Sequence, residues 1–185
     1  MAVPVQKRLL TIDEFERLWG DGVFPPEARL ELIHGEIVEM TPIGDRHFLC
    51  VMFLGDLLAD LKPKGIASVQ GPLRFRGQTS IPQPDAVVFR RRADFKQRPP
   101  RGRDALLVVE VADSTLAYDR NTKIPLYAAN GIPEAWLVDL SSDTIFVYRR
   151  PSADGYQDVR AYRRGDSISP LAFPEARFSV DEILG

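Results

Sequence analysis

The chain has 185 residues, 44% hydrophobic and 27% charged, with a formal net charge of −2. That length supports one compact domain with a sizeable core and excludes two of ordinary size, so a single domain over residues 1–185 is expected. The near-neutral charge excludes a uniformly basic nucleic-acid binder, so any phosphate-binding surface must be local, and the lone Cys50 excludes an intramolecular disulfide and a cysteine-based zinc site.

Thr11 and Glu14 form a capping box that opens a short helix ending near Gly20. Residues 30–40 alternate about a His34-Gly35 turn and read as a hairpin. A longer helix is expected over residues 45–61. His47, Cys50, Val51, Leu54, Leu57, Leu58 and Leu61 recur at three- and four-residue spacing on one face, while Phe48, Met52 and Phe53 add apolar surface elsewhere. That surplus points to a second layer or a second subunit, and hence to a homodimer. The apolar run is broken by Asp56 and Asp60, so no membrane span is expected. The first dozen residues also lack the basic-then-apolar pattern of a signal peptide, and the expected location is cytoplasmic.

Two short strands follow, near residues 67–70 and 73–76, and then a run over 84–89. A basic loop spans residues 90–103. Residues 105–112, Ala-Leu-Leu-Val-Val-Glu-Val-Ala, carry the continuous apolar pattern of a strand buried on both faces. A helix is expected over residues 119–129, closed by Asn130-Gly131 with Pro133 beyond. Residues 134–139 and 144–148 read as a further hairpin across Ser141-Ser142-Asp143, and Ser179 opens a closing helical turn. The pattern predicts an α/β chain with a mixed sheet.

Two acids break the hydrophobic pattern. Glu110 shares a strand face with Val108 and Ala112, and Asp85 opens a run whose same-face residues are Val87 and Phe89. A carboxylate in an apolar strand is costly unless a cation, an ion pair or hydrogen-bond donors offset its desolvation. Two from neighbouring strands repel unless positive charge lies between them, and Mg²⁺ or Mn²⁺ suits such oxygen ligands. Either acid alone also fits a turn former or a salt-bridge partner. Lys123, in the helix after the Glu110 strand, can swing back over the strand end. Its spacing from Asp119 fits an ordinary surface ion pair equally well.

Five segments in order resemble the Uma-two endonuclease family, a branch of the restriction-endonuclease-like PD-(D/E)XK superfamily. They are Leu30-Glu-Leu-Ile-His-Gly-Glu, Gln83-Pro-Asp-Ala-Val-Val, Val109-Glu-Val-Ala-Asp-Ser-Thr, Tyr118-Asp-Arg-Asn-Thr-Lys and Gly131-Ile-Pro-Glu-Ala-Trp-Leu-Val-Asp. The resemblance implies a restriction-endonuclease-like core with an N-terminal helix and hairpin and extra C-terminal strands. It also implies metal-dependent hydrolysis of DNA phosphodiester bonds, with Asp85 and Glu110 as metal-holding acids. The superfamily lysine falls at Ala112 in this chain, and the resemblance implies that Lys123 replaces it. Glu31 resembles a further family acid within reach of the metal or its waters. His47 opens the long helix near the expected site and fits an accessory role or an ordinary helix-face histidine. Pro125 is tolerable if the helix begins near Asn121, because first-turn amides need no intrahelical partner.

The loop residues Arg90, Arg91, Arg92, Lys96, Arg98, Arg101 and Arg103 fit phosphate contacts or a solvated loop diluted by Asp94 and Asp104. Two rivals remain: a catalytically silent nucleic-acid-binding or assembly protein on the same fold, and a hydrolase of another phosphodiester.

Overall fold

The computed structural model describes residues 7–40, 42–62, 64–75 and 79–185. Helix α1, Ile12–Gly20, starts at the Thr11–Glu14 capping box and buries Phe15. Strands β1 (Leu30–Ile33) and β2 (Glu36–Glu39) pair antiparallel with Glu31 opposite Val38. Their turn needs two left-handed residues. His34 and Gly35 supply them at φ 51° and 80°, and a Cβ on Gly35 would lie 2.7 Å from Leu9 Cβ.

The central sheet has six strands in the order β3-β4-β5-β6-β7-β8. They are β3 (Gly65–Val69), β4 (Ala86–Arg90), β5 (Ala105–Ala112), β6 (Glu134–Asp139), β7 (Thr144–Ser152) and β8 (Gly155–Arg163). Only β5 and β6 run parallel; every other neighbour is antiparallel. A parallel step needs a crossover, and the helical segment over residues 116–129 provides it. Helix α2 (Asp45–Ala59) and the closing α5 (Val180–Leu184) cover one sheet face, packing Leu54, Leu58 and Ile183 against Val109 and Trp136. The crossover covers the other face, where Ile124 and Tyr127 meet Val108, Ala112 and Leu137. Strand β5 is thus buried on both faces, which accounts for its unbroken apolar pattern.

Three expectations need correction. No strand forms over residues 73–75. Leu73 donates to the Pro82 carbonyl at 2.8 Å and Gly102 to the Arg74 carbonyl at 2.9 Å, but Pro72, Pro82 and Pro84 leave too few donors for a ladder; Arg76 lies outside the described residues. Asp85 sits in a bend just before β4 rather than inside a strand. The crossover also starts earlier than residue 119 or 121. It runs as α3 (Leu116–Tyr118), a π-turn over Asp119–Lys123, and α4 (Ile124–Ala129). In that turn the Ile124 amide reaches back to the Asp119 carbonyl, five residues away. Pro125 explains the widening: it has no N–H to donate and its ring crowds the carbonyl four residues before it.

The outer side of α2 keeps an apolar patch, with Phe48 60%, Leu49 44% and Met52 48% exposed. Among the described residues no helix is long and apolar enough to cross a membrane.

Candidate functional site

Antiparallel pairing of β4 and β5 sets Ala86 opposite Val109, which brings the bend at Asp85 beside the Glu110–Val111 peptide. The Val111 amide donates to Asp85 Oδ2 at 2.8 Å, and His47 Nε2, from the first turn of α2, lies 3.2 Å from the same oxygen. The crossover then returns over β5 and delivers Lys123. Its Nζ lies 2.9 Å from Glu110 Oε1 and 3.0 Å from Glu31 Oε1 on β1. The Tyr127 hydroxyl, one turn further along, also donates to Glu110 Oε1. Glu31 Oε1 in addition accepts from the Gln83 amide at 2.6 Å. Strands β1 and β5 thus each present a carboxylate to one lysine.

Glu31, Asp85, Glu110, Asp119 and Lys123 are all buried. Burial pushes the Glu110 carboxyl well above its usual range; Lys123 opposes the shift, while Asp85, Asp119 and Glu31 reinforce it. Burial likewise raises Asp119, which accepts from Thr115 Oγ1 at 2.5 Å. For Lys123 burial disfavours the ammonium, but Glu110, Glu31 and Asp119 outweigh it and hold the charge in place. Four carboxylates around one lysine leave negative charge uncompensated, and a hard divalent cation is the natural complement.

The donor set fits such an ion. Protein contacts to Asp85 fall on Oδ2 and those to Glu110 fall on Oε1, so each carboxylate has a second oxygen with no protein donor among the described residues. Among the described residues no three carboxylate, imidazole or thiol groups form a closed cage. Two carboxylates completed by water or substrate oxygens are the usual protein share for Mg²⁺.

The structure therefore brings Asp85, Lys123, Glu31 and His47 onto one cleft of about 330 Å³, lined also by Arg29, Tyr118 and Asp119, with Glu110 buried directly beneath Lys123. The surface pair between Asp119 and Lys123 is not formed: both are buried, and the π-turn points the lysine at Glu110 and Glu31. Arg90, Arg91, Arg92, Arg101 and Arg103 lie at the opposite end of the strands. Phe89 pairs with Ala105 there, six residues from Val111, a span of roughly 20 Å. Arg92 is held by Asp94 and Asp104, and Arg98 by Asp94, so part of that loop is neutralised internally. Sequence reasoning misses Tyr127 and Tyr118. Tyr127 matches an ordinary core aromatic at helical spacing, and its one signal is its position four residues after Lys123.

Comparison with known proteins gives the family and the fold. The model of the Uma2 family, described as a putative restriction endonuclease, matches residues 12–181. Among solved structures, the chain is similar to a putative nuclease belonging to DUF820 from Anabaena variabilis ATCC 29413. The TM-score is 0.71 and the identity 20%, with 95% of this chain and 97% of that chain covered. At that identity the likeness speaks for the fold alone. No curated protein matches the sequence.

Proposed function

The chain belongs to the Uma2 family of putative restriction endonucleases, and from that premise we propose that it hydrolyses phosphodiester bonds of DNA with Mg²⁺ or Mn²⁺ held by Asp85 and Glu110. The observation that carries the reading is Lys123, fixed at 2.9 Å from Glu110 and 3.0 Å from Glu31 on a cleft that Asp85 also lines. When bound, the cation supplies a water of lowered pKa and polarises a phosphoryl oxygen. The protein groups do the positioning. Val111 and His47 fix Asp85 through Oδ2, and Lys123 and Tyr127 fix Glu110 through Oε1. An ammonium has three N–H bonds, so Lys123 keeps one for the charge that builds on the phosphate. Supercoiled plasmid incubated with the protein and Mn²⁺ should be nicked or linearised, and chelation should stop it. Intact plasmid over a range of DNA sequences and metals would overturn the reading.

Tyr127→Phe isolates the hydroxyl that holds Glu110. Loss of such an outer partner should weaken Mn²⁺ binding about 10–100-fold while the fold persists. Calorimetric titration measures it, and wild-type affinity would remove Tyr127 from the metal-supporting set.

One observation favours a second reading, a catalytically silent nucleic-acid-binding or assembly protein. Lys123 is 4% exposed and closed in by two acids. Metal-independent DNA binding without cleavage would select that reading.

We also propose that the chain forms a homodimer through Phe48, Leu49 and Met52, because a contiguous exposed apolar face on a helix is costly in water. Sedimentation should show a dimer that Phe48→Glu with Met52→Glu converts to monomer. A monomeric wild type would refute this.

A further inference from the structure

The cleft around the acid cluster holds few cations, and that restricts where a nucleic-acid phosphate can sit. Besides the acids already described, Glu39 and Asp113 line it, against Arg29 and Lys123 alone. Lys123 is already shared between Glu110 and Glu31, which leaves it one N–H for the reacting phosphate. Arg29 precedes β1 and lies two residues from Glu31, so period two puts both on one face of the strand. It is half-buried, and among the described residues no carboxylate lies within ion-pair distance of it. Tyr118 lines the same cleft, and its hydroxyl is shielded from solvent yet has no hydrogen-bond partner among the described residues. The buried hydroxyl calls for a partner, and the guanidinium on the same cleft is a cation with no carboxylate bound to it among the described residues.

We propose that Arg29 and the Tyr118 hydroxyl form a phosphate subsite that grips the nucleic-acid backbone beside the scissile bond, an inference that rests on the nuclease reading above. A guanidinium presents a planar fork that matches phosphate oxygens bidentately, and a phenol adds a neutral donor. Burial raises the Tyr118 phenol to about 12, so it stays a donor at neutral pH. The basic loop lies roughly 20 Å from the acids, too far to serve a phosphate in the cleft itself.

The test is binding rather than cleavage. Anisotropy of a fluorescein-labelled duplex is titrated with protein in Ca²⁺, which takes the same oxygen ligands, over a range of salt. Arg29→Gln should weaken binding about tenfold and reduce the slope of log K against log salt by about 0.9, the signature of one lost phosphate contact. Arg29→Lys should restore the slope but only part of the affinity. Tyr118→Phe should weaken binding about fivefold at every salt concentration with the wild-type slope, since a neutral donor releases no counterion. Arg160→Gln, on the exposed β8, gives the background for losing one charge.

All variants are checked for folding by circular dichroism. Wild-type affinity and slope in Arg29→Gln would overturn the subsite and leave the nuclease reading intact. A wild type that binds no nucleic acid would overturn both.

Discussion

Replacing Lys123 by methionine is expected to abolish cleavage and to destabilise the fold by about 3–5 kcal/mol, the usual cost of removing one partner from a buried ion pair. Methionine fills similar volume, so the loss comes from Glu110 and Glu31, left in the interior with no cation between them. The effect should depend on pH with a definite sign. Burial already lifts the Glu110 carboxyl above its ordinary 4.5 against the pull of Lys123, and without that pull it rises further. Above that ordinary value the folded variant holds protons that the unfolded chain has released, so stability falls as pH rises. In the wild type, the Lys123 ammonium stabilises the fold. Its folded pKa is raised above 10.5, so its contribution is complete below that value and is lost only as pH climbs through the folded pKa. Denaturant unfolding near pH 5 and near pH 8 should therefore find the variant closest to wild type in acid. Equal stability of the two proteins at both values would show that the buried pair carries nothing.

The second large effect is on the metal. Glu110→Gln and Asp85→Asn keep shape and remove charge. Outer partners of a metal ligand are worth about 10–100-fold, so losing the ligand itself should cost more than about 100-fold in Mn²⁺ affinity, with cleavage falling in step. Both variants should fold. In Glu110→Gln the new amide oxygen would still accept from the Tyr127 hydroxyl, and Lys123 would keep Glu31. In Asp85→Asn the amide oxygen would still accept from the Val111 N–H. Calorimetry on the two variants beside wild type decides the matter: unchanged Mn²⁺ binding in both would remove these carboxylates from the metal site.

The core of the site was legible because it violates the pattern around it. An acid inside Leu-Leu-Val-Val-Glu-Val-Ala needs a partner, and the crossover that follows the strand supplies Lys123 and Tyr127. What pattern alone does not give is which distant elements meet there. Glu31 reaches Lys123 only because the β1 hairpin docks on Ile81 and Gln83, through bonds with no sequence period. Arg29 lies just ahead of the hairpin expected over residues 30–40, and its isolation among acids is a property of the cleft. The arginine-rich loop is conspicuous in composition. Its distance from the acids follows from antiparallel topology, since a loop joining β4 to β5 lies at the strand ends far from Asp85 and Val111. Proline misleads in a physical way. First-turn tolerance of Pro125 suggests a late helix start, whereas the chain keeps the helix from Leu116 and widens one turn instead.

That widened turn acts as a phase shifter. A helix advances about 100° per residue, so one extra residue in a turn rotates every later side chain by about that angle at almost no change in length. Wound regularly from Leu116, the crossover would turn Lys123 and Tyr127 together off the Glu110 edge of β5. With the offset, both land on the same carboxylate oxygen. The cation is thereby carried by a different element from the acid it serves, and one inserted peptide unit sets their alignment.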